Sequence, residues 1–207
     1  MKALILVDIQ TDFLPGGALA VPDGDKIIAV VNRLQAKFPL VVATQDWHPA
    51  NHGSFAANHP GKNVFVQIEL NGLPQTLWPV HCVQETPGAE LASGLARDRI
   101  AKIFPKGTDA GIDSYSGLND NGHRKSTGLG EWLLAKSVTE VFVCGLATDY
   151  CVKFTALDAA QMGFKTFFIE DASLGVNLQP KDVENAVAEM NRAGIVTVQS
   201  AELLTKL

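Results

Sequence analysis

Short apolar runs alternate with helix-like segments along this chain, and this alternation restricts the fold more than any other feature. Ala3–Val7 and Leu40–Ala43 are β-favouring runs without charged residues. Between them, apolar residues recur at helical spacing over residues 24–37. Two strands joined by a helix require a parallel sheet with right-handed crossovers. Four further strands are predicted at Ile100–Phe104, Val141–Cys144, Thr166–Ile169 and Ile195–Val198.

The pattern predicts an α/β fold with three layers, αβα, built on a six-stranded, mostly parallel, doubly wound sheet. Further helices are predicted at Leu129–Ala135, from Asp149 to about Gly163 and around Val183–Met190, with a terminal turn at Ala201–Lys206. We expect one domain, residues 1–207. Residues within about 46–98 and 106–128 are predicted as irregular loops, and loops this long are usually functional. We expect the metal and substrate loops there.

Composition narrows the classes of function. A hydrophobic content of 46% and a charged content of 19% are ordinary for a soluble globular protein. A formal net charge of −5 argues against nucleic acid or an anionic membrane as a partner. The first apolar run meets Asp8 too early for a signal peptide, and no run approaches the length of a membrane span. Three cysteines make no disulfide framework, which favours a reducing cytoplasm.

Reactive side chains follow directly after four of the predicted strands. Asp8 follows the first strand, Asp46 and His48 the second, Lys106 the third and Cys151 the fourth. The carboxyl ends of parallel strands share one edge of a sheet, and ligands bind there where the strand order reverses. We therefore expect these five side chains to meet in one site.

Cys151 is predicted in the first turn of a helix, with Thr148 as the N-cap. Unpaired N–H groups and the positive end of the helix dipole favour a thiolate there. A lone cysteine in such a place is about as often a small core residue, so its neighbours decide its interpretation. Asp8 could exchange a proton with the thiol, and Lys106 could hold the carboxylate. The backbone N–H groups of Ala147 and Cys151 could form an oxyanion hole.

A second group of side chains has the spacing of metal ligands. Asp46 and His48 are two residues apart, so an extended segment points both to the same side. A returning loop can supply His81. Three nitrogen and oxygen ligands leave coordination positions open, which suits a catalytic or substrate-orienting metal. His52 could add a fourth ligand, and the spacing alone leaves the identity of the metal open.

Five segments in chain order resemble motifs of one enzyme family. They are Val7–Phe13, Asp46–His48, Trp78–Cys82, Lys106–Gly107 and Gly145–Val152. Together they resemble the nicotinamidases, also called pyrazinamidases, among the isochorismatase-like cysteine hydrolases. The resemblance spans nearly the whole chain. It implies the isochorismatase-like hydrolase fold and the hydrolysis of nicotinamide to nicotinate and ammonia through a thioester, with pyrazinamide as a further substrate.

The resemblance also implies a role for each catalytic residue. Cys151 corresponds to the nucleophile, Asp8 to the general acid and base, and Lys106 to its charge partner. The family carries a cis peptide bond at the position of Leu146–Ala147, which aims the Ala147 N–H into the oxyanion hole.

The metal and substrate residues follow from the same resemblance. The implied metal ligands are Asp46, His48 and His81, with His52 as an additional candidate. They would hold one divalent ion, Zn²⁺ first, with Fe²⁺ or Mn²⁺ as alternatives, and its open position would face the pyridine nitrogen. The implied substrate-binding residues are Phe13, Trp78 and Tyr115. The expected small-molecule partner is nicotinamide, and the expected role is in NAD salvage. The resemblance is compatible with either a monomer or a homo-oligomer.

Three other functions are alternatives to the hydrolysis of nicotinamide. Another isochorismatase-like amidohydrolase would typically lack the triad of metal ligands. A thiol peroxidase is suggested by Thr148-x-x-Cys151, but that motif usually has a proline where this chain has Cys144. A non-catalytic zinc protein would leave Asp8 and Lys106 without a function. Ammonia release from nicotinamide, measured beside peroxide consumption, separates these alternatives.

Overall fold

The computed structural model describes residues 1–206; Leu207, which the predicted domain includes, lies outside them. The strands are β1 (Lys2–Val7), β2 (Val41–Asp46), β3 (Gln67–Leu70), β4 (Leu73–Thr76), β5 (Ile100–Lys106), β6 (Glu140–Leu146), β7 (Lys165–Leu174) and β8 (Val196–Val198). The α-helices are α1 (Ile27–Gln35), α2 (Leu129–Ala135), α3 (Lys153–Gln161), α4 (Asp182–Arg192) and α5 (Ser200–Lys206). Within residues 1–206, no helix combines the length and apolarity needed to cross a membrane.

Six strands form one parallel sheet in the order β5-β2-β1-β6-β7-β8. Apolar side chains cover both faces, because successive residues of a strand point to opposite sides. Leu4 and Leu6 of β1 pack on the side of α1 and α5, whereas Ala3, Ile5 and Val7 pack on the side of α2, α3 and α4. The predicted α/β class with a six-stranded parallel sheet is confirmed.

β2 and β5 extend further along the chain than predicted, so two of the site residues lie within the strands themselves. The last residues of β2 and β5, Asp46 and Lys106, are direct partners in the register of the sheet. Pro105 lies inside β5, which is tolerated because β5 is an edge strand. β7 also continues beyond Ile169, where the Ser173 hydroxyl donates to the Ile169 carbonyl and accepts from a β6 N–H.

The predicted loop over residues 46–98 is partly wrong, because it contains the antiparallel hairpin β3–β4. Its turn is Asn71-Gly72, a pair that favours a tight hairpin turn, and both residues have positive φ angles. The predicted turn at Ala201–Lys206 is also wrong, because this segment is helical in α5. The Asp171 carboxylate accepts a hydrogen bond from the Ser200 N–H at the start of that helix, 2.7 Å away.

Between β6 and α3, residues Thr148–Val152 form a π-helical turn. The predicted N-cap at Thr148 is wrong, because the turn begins after Ala147 and no side chain caps it. Instead the N–H groups of Tyr150 and Val152 both donate to the Ala147 carbonyl, at 3.1 Å each. The Leu146–Ala147 peptide bond is cis, as the resemblance implies.

Gly145 of β6 pairs with Val7 of β1, and the two backbones leave no room for a side chain there. The φ of Gly145 is +128°, and a Cβ atom added there would lie 2.1 Å from the Val7 carbonyl oxygen. We predict that Gly145→Ala lowers the free energy of unfolding by about 3 kcal/mol, because backbone strain and overpacking add together. Urea unfolding measures this. Gly163→Ala is the control, since Gly163 has a φ of +91° and open space around it. Equal losses in the two variants would contradict the steric argument.

Candidate active site

The side chain of Lys106 lies at the centre of the site and is fully buried. Its Nζ lies 2.9 Å from Oδ2 of Asp8 and 2.6 Å from Oδ1 of Asp46. It also donates to the Ser114 carbonyl at 2.8 Å and lies 3.4 Å from Sγ of Cys151. The predicted convergence of strand ends is therefore present, with one ammonium contacting two carboxylates and a thiol.

Asp8 is completely buried, and its environment sets its protonation. Burial raises the pKa of Asp8 to about 6, with Asp46 adding to the rise while the Lys106 ammonium opposes it. The Thr44 hydroxyl donates to Oδ1 of Asp8 at 2.6 Å and accepts from the Asp8 N–H at 3.2 Å. Sequence reasoning missed Thr44, although it lies two residues before Asp46 on the same face of β2.

Cys151 differs from its predicted ionisation state. Burial holds the pKa of Cys151 well above its ordinary value; Lys106 lowers it, while Asp8 and Asp46 raise it further. The expected thiolate is therefore wrong for this resting state, because desolvation and two carboxylates outweigh the turn and the lysine. Cys82 and Cys144 are wholly buried in the hydrophobic core on the other face of the sheet.

Three side chains form a cluster with the donor atoms of a metal site. The Nδ1 atoms of His48 and His81 lie 2.8 Å from the carbonyls of Gly107 and Pro79. A carbonyl only accepts, so in each neutral ring Nδ1 carries the proton and Nε2 presents a lone pair. Those Nε2 atoms lie 3.6 Å and 3.9 Å from Oδ2 of Asp46.

Asp46 is ionised in this arrangement. Burial opposes its charge, but the Lys106 ammonium holds the pKa of Asp46 below its usual range. Two lone pairs and a carboxylate oxygen thus face one another without a proton between them, which fits a shared cation. Gln10 fixes the backbone here, since its amide donates to the Asp46 carbonyl and accepts from the Asp46 N–H, both at 2.8 Å. The cluster of Asp46, His48 and His81 could hold a metal ion.

His52 lies beside this cluster. Its Nδ1 accepts from the Ser54 N–H at 3.2 Å and lies 2.7 Å from the Ser54 hydroxyl. The neutral ring therefore carries its proton on Nε2, which is buried and has no hydrogen-bond partner among residues 1–206. Its ligand atom forms a second group with those of His48 and Asp113, all within 4.8 Å of one another.

A pocket opens above the Cys151 thiol and the three candidate metal ligands, with a volume of about 410 Å³ including its mouth. The predicted substrate-binding residues Phe13, Trp78 and Tyr115 all line it, together with Ala147 and Cys151. Sequence reasoning missed four further lining residues, Leu19, Asp113, Tyr150 and Val176. They lie in loops or turns without a periodic signal.

Aromatic rings form one wall of the pocket. The Trp78 indole N–H donates to the Tyr115 hydroxyl at 3.2 Å, and the Tyr150 ring packs edge-on at 4.8 Å from Trp78. The Phe13 ring lies 5.6 Å from the His81 ring. Flat apolar surfaces next to a thiol and a cation-binding cluster suit a small aromatic ligand with a reactive polar group.

The profile of the isochorismatase domain matches residues 2–202. The chain belongs to the isochorismatase family. One family member, the nicotinamidase of Escherichia coli, is 52% identical over 93% of this chain and 92% of its own length. The structure of an Acinetobacter baumanii nicotinamidase and pyrazinamidase has a TM-score of 0.95 and 48% identity, covering 98% of this chain and 97% of its own. The structure of the pyrazinamidase of Pyrococcus horikoshii in complex with zinc has a TM-score of 0.78 and 43% identity. It covers 96% of this chain and 98% of its own.

The different settings of the three cysteines lead to a test by alkylation. Cys151 alone among them lines the pocket, whereas Cys82 and Cys144 are enclosed in the core. We predict that iodoacetamide modifies one thiol of the native protein, at Cys151, and reaches the other two only after unfolding. Peptide mass spectrometry identifies the modified residues. Equal labelling of Cys82 or Cys144 in the folded protein would contradict this geometry. The Cys151→Ala protein is the negative control, because it lacks the thiol that lines the pocket.

Proposed function

We propose that this member of the isochorismatase family is a nicotinamidase, which hydrolyses nicotinamide to nicotinate and ammonia and also accepts pyrazinamide. One observation carries the proposal: Lys106 joins Asp8, Asp46 and Cys151 at the floor of an aromatic pocket. A nucleophile, a proton carrier and a cation-binding carboxylate are thereby within reach of one small ligand. The identity to the Escherichia coli nicotinamidase supports this assignment.

Asp46, His48 and His81 are proposed to hold one divalent cation. Mixed imidazole and carboxylate ligands suit zinc, and the Pyrococcus horikoshii pyrazinamidase was solved with zinc. When bound, the cation supplies a Lewis-acidic position for the ring nitrogen and offsets the charge of Asp46. His52 is a weaker candidate for a fourth ligand, because its Nε2 carries the proton in the tautomer described above.

The pocket orients the substrate by its shape. Phe13, Trp78 and Tyr115 would bind the pyridine ring, which leaves the carboxamide to reach toward Cys151. The backbone N–H groups of Ala147 and Cys151 are proposed as the oxyanion hole, since both residues border the pocket at the turn after β6.

The reaction then follows from the protonation states. Asp8 accepts the proton of the Cys151 thiol, and the sulfur attacks the amide carbon to give a tetrahedral adduct. The C–N bond breaks, and ammonia leaves with the proton from Asp8. Water then attacks the thioester, giving one proton to Asp8, and the Cys151 sulfur leaves and takes that proton back. Lys106 stays charged throughout, because Asp46 and Asp8 raise its pKa despite burial.

Substitutions at Cys151 and Asp8 test the reaction. We predict that Cys151→Ala abolishes ammonia release from nicotinamide, and that Asp8→Asn lowers single-turnover acylation by about 10²–10⁴-fold while zinc content and nicotinamide binding are retained. The buried Cys144 lies outside the pocket, so Cys144→Ala is the matched control. Substantial turnover by Cys151→Ala, or peroxide consumption in place of ammonia release, would overturn the proposed function.

The pH dependence tests the pairing of Asp8 with Lys106. Asp8 must be ionised to accept the proton, so kcat/KM is expected to fall as the pH drops through about 6. Lys106 lowers the pKa of Asp8, so Lys106→Met should move this acidic limb to higher pH. Lys102→Met, an exposed position on the same strand, is the control. If the acidic limb of Lys106→Met stays at the pH of the unmodified protein, the limb does not report the titration of Asp8.

A further inference from the structure

The loop of residues 107–115 supplies several groups to the site at once. The Gly107 carbonyl accepts from Nδ1 of His48 at 2.8 Å, which sets the tautomer of a proposed metal ligand. The Ser114 carbonyl accepts from Nζ of Lys106, also at 2.8 Å. The same loop places Asp113 and Tyr115 in the wall of the pocket. Its position therefore affects the cation cluster, the buried ammonium and the aromatic wall together.

The β3–β4 hairpin holds this loop at two points. At the turn, the Asn71 amide donates to the Gly111 carbonyl at 2.7 Å. At the base, the Gln75 amide nitrogen lies 3.0 Å from Oδ2 of Asp113 and 3.2 Å from the Tyr115 hydroxyl. Gln75 is only 2% exposed, yet it does not itself line the pocket. One amide thus contacts a carboxylate and a ring hydroxyl of the wall, besides the Thr76 carbonyl at 2.8 Å.

We propose that the β3–β4 hairpin positions residues of the site, and that it does so through the side chain of Gln75. This inference rests on the proposed function for its substrate, nicotinamide. Gln75 holds Asp113 toward the metal-site histidines and holds Tyr115 in the aromatic wall. The hairpin therefore contributes to both cation affinity and ring binding without touching either ligand.

The hydrogen bonds of Asp113 explain why a single amide has this effect. Its Oδ1 accepts from the Ser114 N–H at 2.8 Å, and its Oδ2 accepts from Gln75. With a donor on each oxygen, the carboxylate plane is fixed, and its ligand atom lies within 4.8 Å of those of His48 and His52. A negative charge held there favours a cation bound by His48. Loss of the Gln75 amide leaves a buried carboxylate oxygen without its donor.

The test compares two glutamines of the same hairpin. Gln75→Leu removes the buried amide, whereas Gln67→Leu removes an exposed one that donates to the Thr76 hydroxyl at 2.7 Å. Gln75→Leu should raise both the KM for nicotinamide and the dissociation constant for zinc, each by about 10-fold, with a smaller change in kcat. Zinc affinity is measured by competition with a chelator. Gln67→Leu should stay within about two-fold of the unmodified protein.

A double-mutant cycle separates positioning from general loosening. In an Asp113→Ala background, Gln75→Leu should change zinc affinity by less than about two-fold, because the group it positions is gone. An equal loss in both backgrounds would overturn the proposal. Gln75→Glu provides a second variant should Gln75→Leu not fold, because it keeps the size but places a carboxylate against Asp113. Zinc affinity and KM unchanged in the folded Gln75 variants would also overturn it.

The outcome is distinguishable from failure of the proposed function. If the unmodified protein releases no ammonia from nicotinamide, the assignment of substrate fails. The zinc affinities of Gln75→Leu, Gln67→Leu and Asp113→Ala still decide whether the hairpin positions Asp113.

Discussion

The rest of the site depends on one buried ammonium between two buried carboxylates. A charged group without a partner costs several kcal/mol when it leaves water, so Asp8, Asp46 and Lys106 are stable together and costly apart. Their meeting requires the carboxyl ends of β1, β2 and β5 to be neighbours, which is what the strand order provides. The parallel sheet thus brings distant positions in the chain into one charge cluster, and Cys151 joins it from the turn that follows the next strand, β6.

The same ammonium couples the proposed nucleophile, Cys151, to the candidate cation site. Asp46 uses Oδ1 for Lys106 and faces the histidines with Oδ2, so a single carboxylate belongs to both halves of the site. A change of charge on one half therefore alters the potential at the other. Lys106→Met would change both the proton affinity of Asp8 and the environment of the candidate metal ligands.

The reactive residues at strand ends were predictable, because parallel strands with right-handed crossovers bring their carboxyl ends to one edge. The residues that position them were not. Thr44 and Gln75 make side-chain hydrogen bonds to distant parts of the chain, and such contacts leave no periodic signal in a sequence. The Asn71-Gly72 turn was visible in the sequence, but β4 contains Pro74 and pairs with only one strand. The ionisation of Cys151 was mispredicted because it depends on burial, which local sequence does not reveal.

Burial also explains how a protonated thiol can serve as the nucleophile. It raises the pKa of both Cys151 and Asp8, so it penalises the charged form of either group. Passing the thiol proton to Asp8 moves one negative charge from oxygen to sulfur and leaves the net charge of the site unchanged. Nζ of Lys106 lies 2.9 Å from that oxygen and 3.4 Å from that sulfur, so the ion pair persists on either side of the transfer. Because the lysine contacts both ends of the proton's path and burial penalises the charge at either end, the transfer costs less than ionising a buried cysteine alone.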